Sequence, residues 1–205
     1  MARSSRIAAA AGAVVALALL LAACGGSISI GASPEPTSTG PVTYTDKDYG
    51  YSISYDPLFT KGEPKDSVSA GSSAVSSAIF VDEGGTLADG TYLDALKVTV
   101  YKLKRVVEAS EVPMLEPSLQ DTLDQLLGSM KNAKVLQPLT AVEIGGIPGF
   151  SVKYTFEDLG KTMTIASYFL FKGQYEYQIA TQSASERWDE LSDKFDQAVQ
   201  SFTVK

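Results

Sequence analysis

Four successive strand candidates, 134–144, 149–157, 162–172 and 174–182, are separated only by short turn segments. In 149–157, Phe150, Val152, Tyr154 and Phe156 share one face, with Ser151, Lys153 and Thr155 opposite. That is the period of a half-buried strand. Gly145-Gly146 supplies two positive-φ positions for a tight hairpin, and Asp158-Leu159-Gly160 and Gly173 mark the next two turns. Strands joined this closely pair antiparallel, so the chain is built around a meander. Earlier strands are predicted at Val42–Thr45, at Tyr51, Ile53 and Tyr55 (stopped by Pro57), at Ala78–Val81, and at Leu96, Val98 and Val100. The first two of these pair across Asp46–Tyr49.

Two helices complete the pattern. Pro117 suits a first helical position, and Leu119, Leu123, Leu126, Leu127 and Met130 fall on one stripe, with Gly128 weakening the last turn. The second helix runs from about Ser185 to Ser201, with Trp188, Leu191, Phe195, Ala198, Val199 and Phe202 as its stripe. Ser183 and Glu186 have the spacing of a capping box. Each stripe must be buried on a sheet face, which predicts an α+β domain: an antiparallel sheet flanked by helices. Residues 42–205 suffice for one hydrophobic core, and no repeat of solenoid or propeller length is present.

The N-terminus is an address. Arg3 and Arg6 precede an apolar run from Ile7 to Ala23, the layout of a secretion signal. It ends in Leu21-Ala22-Ala23-Cys24, which resembles the lipobox of bacterial lipoproteins. In that family the cysteine thiol receives a diacylglyceryl group and the chain is cut before it. The resemblance implies that residues 1–23 are removed and that Cys24 carries the lipid. An uncleaved membrane helix and an ordinary signal with a chance cysteine are the alternatives. Cleavage removes two arginines and takes the formal charge from −7 to −9. Residues 25–41, GGSISIGASPEPTSTGP, read as a flexible tether reaching about 20–25 Å on average. An acidic domain on such a tether is expected to stand off an anionic membrane surface.

A further resemblance rests on Tyr44-Thr45-Asp46 through Tyr49-Gly50-Tyr51-Ser52-Ile53-Ser54-Tyr55-Asp56-Pro57, on the Gly145-Gly146 hairpin with its aromatic strands, and on the final Trp188, Phe195 and Phe202 helix. Their order across 42–205 is similar to PsbP/Mog1-like domains. The likeness implies an α/β/α sandwich whose relatives act mostly as binding or assembly factors, with no shared catalytic residues to carry over. The lipobox and tether together also look like secreted lipoproteins of high-GC Gram-positive bacteria.

The composition removes several chemistries. With no histidine there is no Ser-His-Asp or Cys-His group and no histidine metal site. One cysteine allows no internal disulfide and no cysteine-rich zinc site. The acidic balance argues against nucleic acid as a partner. Asp46-Lys47-Asp48 hints at a calcium loop, but the sixth and twelfth positions are Tyr51 and Pro57 instead of glycine and glutamate. Gly160-Lys161-Thr162 lacks the earlier glycine of a phosphate loop, since that position is Thr155. Gly145-Gly146-Ile147-Pro148-Gly149 sits between strands and is no dinucleotide fingerprint. No metal or cofactor is expected.

Two groups of residues remain. Asp82, Glu83, Asp89 and Asp94 lie around a Gly-rich loop and read as a solvated loop, an acidic cleft or a cation site. Tyr44, Tyr49, Tyr51 and Tyr55 read either as ordinary strand composition or as a tyrosine-lined binding surface. The resulting expectation is a lipid-anchored, non-enzymatic domain on the outer face of the cytoplasmic membrane, binding an envelope protein or a small ligand. A carrier of a small apolar ligand and a carboxylate-dependent glycan hydrolase are the alternatives.

Overall fold

A computed structural model describes residues 40–62 and 74–205. In chain order the strands are β1 (Val42–Asp46), β2 (Tyr51–Tyr55), β3 (Thr60–Gly62), β4 (Ala74–Val81), β5 (Leu87–Ala88), β6 (Thr91–Tyr92) and β7 (Ala95–Val107). A 3-10 helix (Ala109–Leu115) leads into α1 (Glu116–Ser129). There follow β8 (Lys134–Ile144), β9 (Ile147–Asp158), β10 (Lys161–Ala184), a 3-10 turn (Ser185–Arg187), α2 (Trp188–Gln200) and β11 (Thr203–Val204).

The main sheet has six antiparallel strands in the order β3-β4-β7-β10-β9-β8, and β1-β2-β11 form a small second sheet. Successive residues of β10 point to opposite faces, and they divide between two cores. Ala166 and Leu170 join α2 and β2 on one side, while Ile165, Phe169 and Phe171 join the 3-10 helix and α1 on the other. The fold is therefore the α+β domain expected from the periodicity, an antiparallel sheet flanked by helices, and the helices on its two faces make it the sandwich that the resemblance implies. Among the described residues no helix is long and apolar enough to cross a membrane.

Two local expectations are corrected. Gly173 does not turn the chain: 162–172 and 174–182 are one strand of 24 residues. Its positive φ of 62° serves a β-bulge instead, where the register against β7 jumps between Gly173 and Tyr175. The strand has no reason to turn because it changes partner. Residues 161–170 pair with β9, and 173–182 pair with β7 along the other edge. The bulge also reverses the face parity, so that Tyr177 and Ile179 join the α2 side.

The capping box is not formed. Ser183 Oγ is buried without a hydrogen-bond partner, and Glu186 pairs with Lys161. The approach to α2 is held by a distant acid, since the Ala184 N–H donates to Asp94 Oδ1 at 3.0 Å. The Asp46 segment is a polar turn: Asp46 Oδ1 accepts the N–H groups of Asp48 and Tyr49, each at 3.0 Å. Its other oxygen accepts Ser76 Oγ–H at 2.6 Å.

Candidate functional site

The loop acids separate into two pairs with different fates. Asp82 follows β4 and Asp94 precedes β7, and the backbone bond from Asp82 N to Asp94 O (2.9 Å) brings them together. Both are buried, at 1% and 0% exposure. Glu83 and Asp89 are exposed. Between the buried pair lies Arg187, from the turn before α2, whose Nη1 donates to Asp82 Oδ2 at 2.8 Å and to Asp94 Oδ2. The remaining oxygens are also occupied: Asp82 Oδ1 accepts Gly84 N–H (3.0 Å) and Asp94 Oδ1 accepts Ala184 N–H (3.0 Å), while Asp94 Oδ2 accepts Thr86 N–H (2.7 Å) as well as the guanidinium. Arg187 is fixed from outside by Glu190, at 2.9 and 3.2 Å. Gly85 lies so close that a Cβ there would overlap Arg187 Nη1 and Asp94 Oδ2.

This is an ion-paired clasp between the β4–β7 connection and the start of α2. A glycosidase needs two carboxylates free to reach a sugar, and here each carboxylate is sealed and paired. Trp188, the one indole, is buried on α2 with Lys153 Nζ 4.2 Å from its ring centre. Reading the sequence did not single out Arg187. The only signal was that it is the sole cation between Lys172 and Lys194. Its partners are 93 and 105 residues away.

The tyrosines face inward, which corrects the expectation of a tyrosine-lined surface. Tyr51 and Tyr55 are core residues, while Tyr44 and Tyr49 are half-buried against the same core. Tyr55 packs on Phe80 with ring centres 4.2 Å apart, Tyr51 stacks on Phe202 at 5.7 Å, and Tyr49 meets Tyr175 edge-on at 5.7 Å. Period-two alternation turns 51, 53 and 55 toward the main sheet together, so the small sheet spends its aromatic face on packing. Burial raises the pKa of Tyr44, Tyr51 and Tyr55.

A third polar feature lies in the middle of the main sheet. Glu176 is 0% exposed on β10, opposite Tyr101 of β7. One carboxylate oxygen accepts Gln178 Nε2–H at 2.7 Å, and the other has no hydrogen-bond partner. Gln178 stands opposite Thr99, which in turn stands opposite Ser77 of β4. Burial pushes the Glu176 carboxyl up to about 7, against the lowering effect of the Gln178 bond. It is thus a proton-holding group sealed inside the sheet. Between Tyr175 and Tyr177, a glutamate reads as the wet side of an alternating strand, which is why sequence reasoning passed over it.

Where the chain enters the domain, Gly40, Pro41, Ser54, Asp56, Gln197 and Ser201 line a shallow groove of about 350 Å³ between β2 and the end of α2. Cys24 and its preceding Leu21, Ala22 and Ala23 lie outside the described residues.

The strand order and the two helical layers define an α+β sandwich. No family model and no curated protein matches the sequence. Among solved structures, the chain is similar to cyanobacterial PsbP (CyanoP) from Synechocystis sp. PCC 6803, with a TM-score of 0.53 and 14% identity over 86% of this chain and 99% of that one. It is also similar to LpqN of Mycobacterium tuberculosis, a protein involved in cell envelope biogenesis, with a TM-score of 0.56 and 11% identity over 81% of this chain and 91% of that one. At these identities the likeness is one of fold.

Proposed function

We propose that this chain is a lipid-anchored extracytoplasmic domain that binds or assembles an envelope component and carries no catalytic machinery. The observation that carries the reading is the chain's single cysteine, placed directly behind Leu21-Ala22-Ala23 at the end of the apolar run. Two acyl chains hold a protein stably at a bilayer where one does not, so lipid on Cys24 makes the membrane its permanent partner. The fold shared with CyanoP and with the envelope protein LpqN supports a binding or assembly role. The pairing of Asp82 and Asp94 with Arg187 weighs against the glycan-hydrolase alternative.

Cys24→Ala is expected to move the protein from the membrane to the soluble or secreted fraction and to abolish the diacylglyceryl mass on the mature chain. Fractionation and intact-mass spectrometry read both effects. Retention of the variant in the membrane would mean that the apolar run is a true span. Mild crosslinking from native membranes, comparing wild type with the variant, then identifies the partner that is met only by the anchored protein.

A further inference from the structure

The α1-side face of the main sheet becomes polar where β4, β7 and β10 run side by side. Three successive cross-strand rows lie on it, two residues apart along each strand. Ile79, Lys97 and Ala180 form the outer row, and all three are half-buried. Ser77, Thr99 and Gln178 form the next, with Thr99 and Gln178 each 6% exposed. Tyr101 and Glu176 form the innermost, at 4% and 0%. Leu103, two residues beyond Tyr101, packs against the α1-side core and closes that end. The face therefore sinks from a partly open mouth at Lys97 to a sealed end at Glu176. Ala180, with its small side chain, leaves the space beside Lys97 unfilled.

The polar groups of this recess do not satisfy one another. Glu176 Oε2 and Ser77 Oγ are buried without a hydrogen-bond partner. Burial alone lowers the pKa of Lys97, and among the described residues no acid pairs with it. Buried polar groups left open in this way are ordinarily met by water or by a ligand. The two ends ask for opposite charges. A half-buried cation without a partner calls for an anion at the mouth, and the open carboxyl oxygen calls for a donor, best an ammonium, at the sealed end. Between them the hydroxyls of Ser77 and Thr99 and the carboxamide of Gln178 offer both donors and acceptors. Four residues of strand rise and one strand spacing put the Cα atoms of Lys97 and Glu176 roughly 14 Å apart. A hydrogen bond of about 2.8 Å at each end leaves roughly 9 Å for whatever joins them.

We propose that this recess binds a short free peptide, with its amino group at Glu176 and its carboxylate at Lys97. An extended peptide of three residues spans roughly 10 Å, which matches the gap. Its amide groups then face the middle row, a match that an aliphatic zwitterion of the same length lacks. The proposal rests on the binding reading above, whose ligand it specifies by class, and is independent of the anchor.

The test is isothermal titration of the full chain in detergent with triglycine as the probe. Binding with Kd below about 1 mM is expected. Acetylating the amine, or converting the carboxylate to an amide, should each weaken binding by about tenfold or more, the worth of a charge-assisted hydrogen bond. The same acetyl cap should cost nothing further in Glu176→Gln, and the same amide nothing further in Lys97→Met. Each variant removes a poorly solvated charge, so urea titration at neutral pH should show no loss of stability, which separates lost binding from lost folding. Lys102→Met, at an exposed position of the same strand, should bind as wild type does. Failure of folded wild type to bind triglycine overturns the proposal. So do cap penalties that persist unchanged in the two variants, and so does ε-aminocaproate binding as tightly as triglycine. A crosslinked envelope partner recovered while triglycine fails overturns this site and leaves the binding reading standing.

Discussion

Arg187→Met is expected to lower the stability of the domain by about 3–5 kcal/mol, the usual cost of removing one partner from a buried ion pair. The variant keeps most of the aliphatic stem but leaves Asp82 and Asp94 sealed together with no cation between them. Each carboxylate would retain only its backbone donors, from Gly84 on one and from Thr86 and Ala184 on the other. Urea titration at neutral pH reads the loss directly, and thermal melting should fall by about 10 °C for a domain of this size. Glu190→Gln is the control. It removes the outer, solvent-exposed partner of the same guanidinium and should hardly move the midpoint. A loss below about 1 kcal/mol for Arg187→Met would show that the clasp does not hold the β4–β7 connection to α2.

Glu176→Gln should act in the opposite direction and only above mildly acid pH. The folded protein holds the Glu176 proton to about 7, whereas the ordinary carboxyl value is 4.5. Between those values the native state binds more protons than the unfolded state, so stability falls as pH rises. The favourable contribution is complete below 4.5 and is lost by the time pH passes 7. The gap corresponds to about 3 kcal/mol. Glutamine removes the titration while keeping an oxygen acceptor for Gln178. The variant should match wild type at pH 4, exceed it above pH 7, and show a flatter profile between. Glu111, Glu157 and Glu190 have lowered pKa values, so their stabilising contributions are lost as pH falls, at the acid end. The difference between wild type and variant therefore isolates Glu176. Parallel stability profiles from pH 4 to 8 would refute the assignment.

Much of the architecture was legible because it is local. The Gly145-Gly146 hairpin, the Phe150 to Phe156 alternation and the Trp188, Leu191 and Phe195 stripe are each written within a dozen residues. Gly173 reads as a turn in the sequence because positive φ is shared by turns and bulges, and only the change of pairing partner distinguishes them. The tyrosines of β2 were ambiguous for a related reason. Alternation shows that Tyr51 and Tyr55 share a side, but it does not show which neighbour covers that side. The Asp82, Asp94 and Arg187 clasp and the buried Glu176 were out of reach, because their meaning lies in contacts between distant segments. A charged residue buried for such a reason looks, in the sequence, like one facing water.

The length of β10 has a consequence for how the domain comes apart. One half of the strand is hydrogen-bonded into the β9 side and the other half into the β7 side, and its alternate residues belong to the two opposite cores. Neither core can open without losing the same backbone element that completes the other. The two layers are therefore not separate cooperative units that fray independently. They share a common beam, and local openings that reach it become global ones.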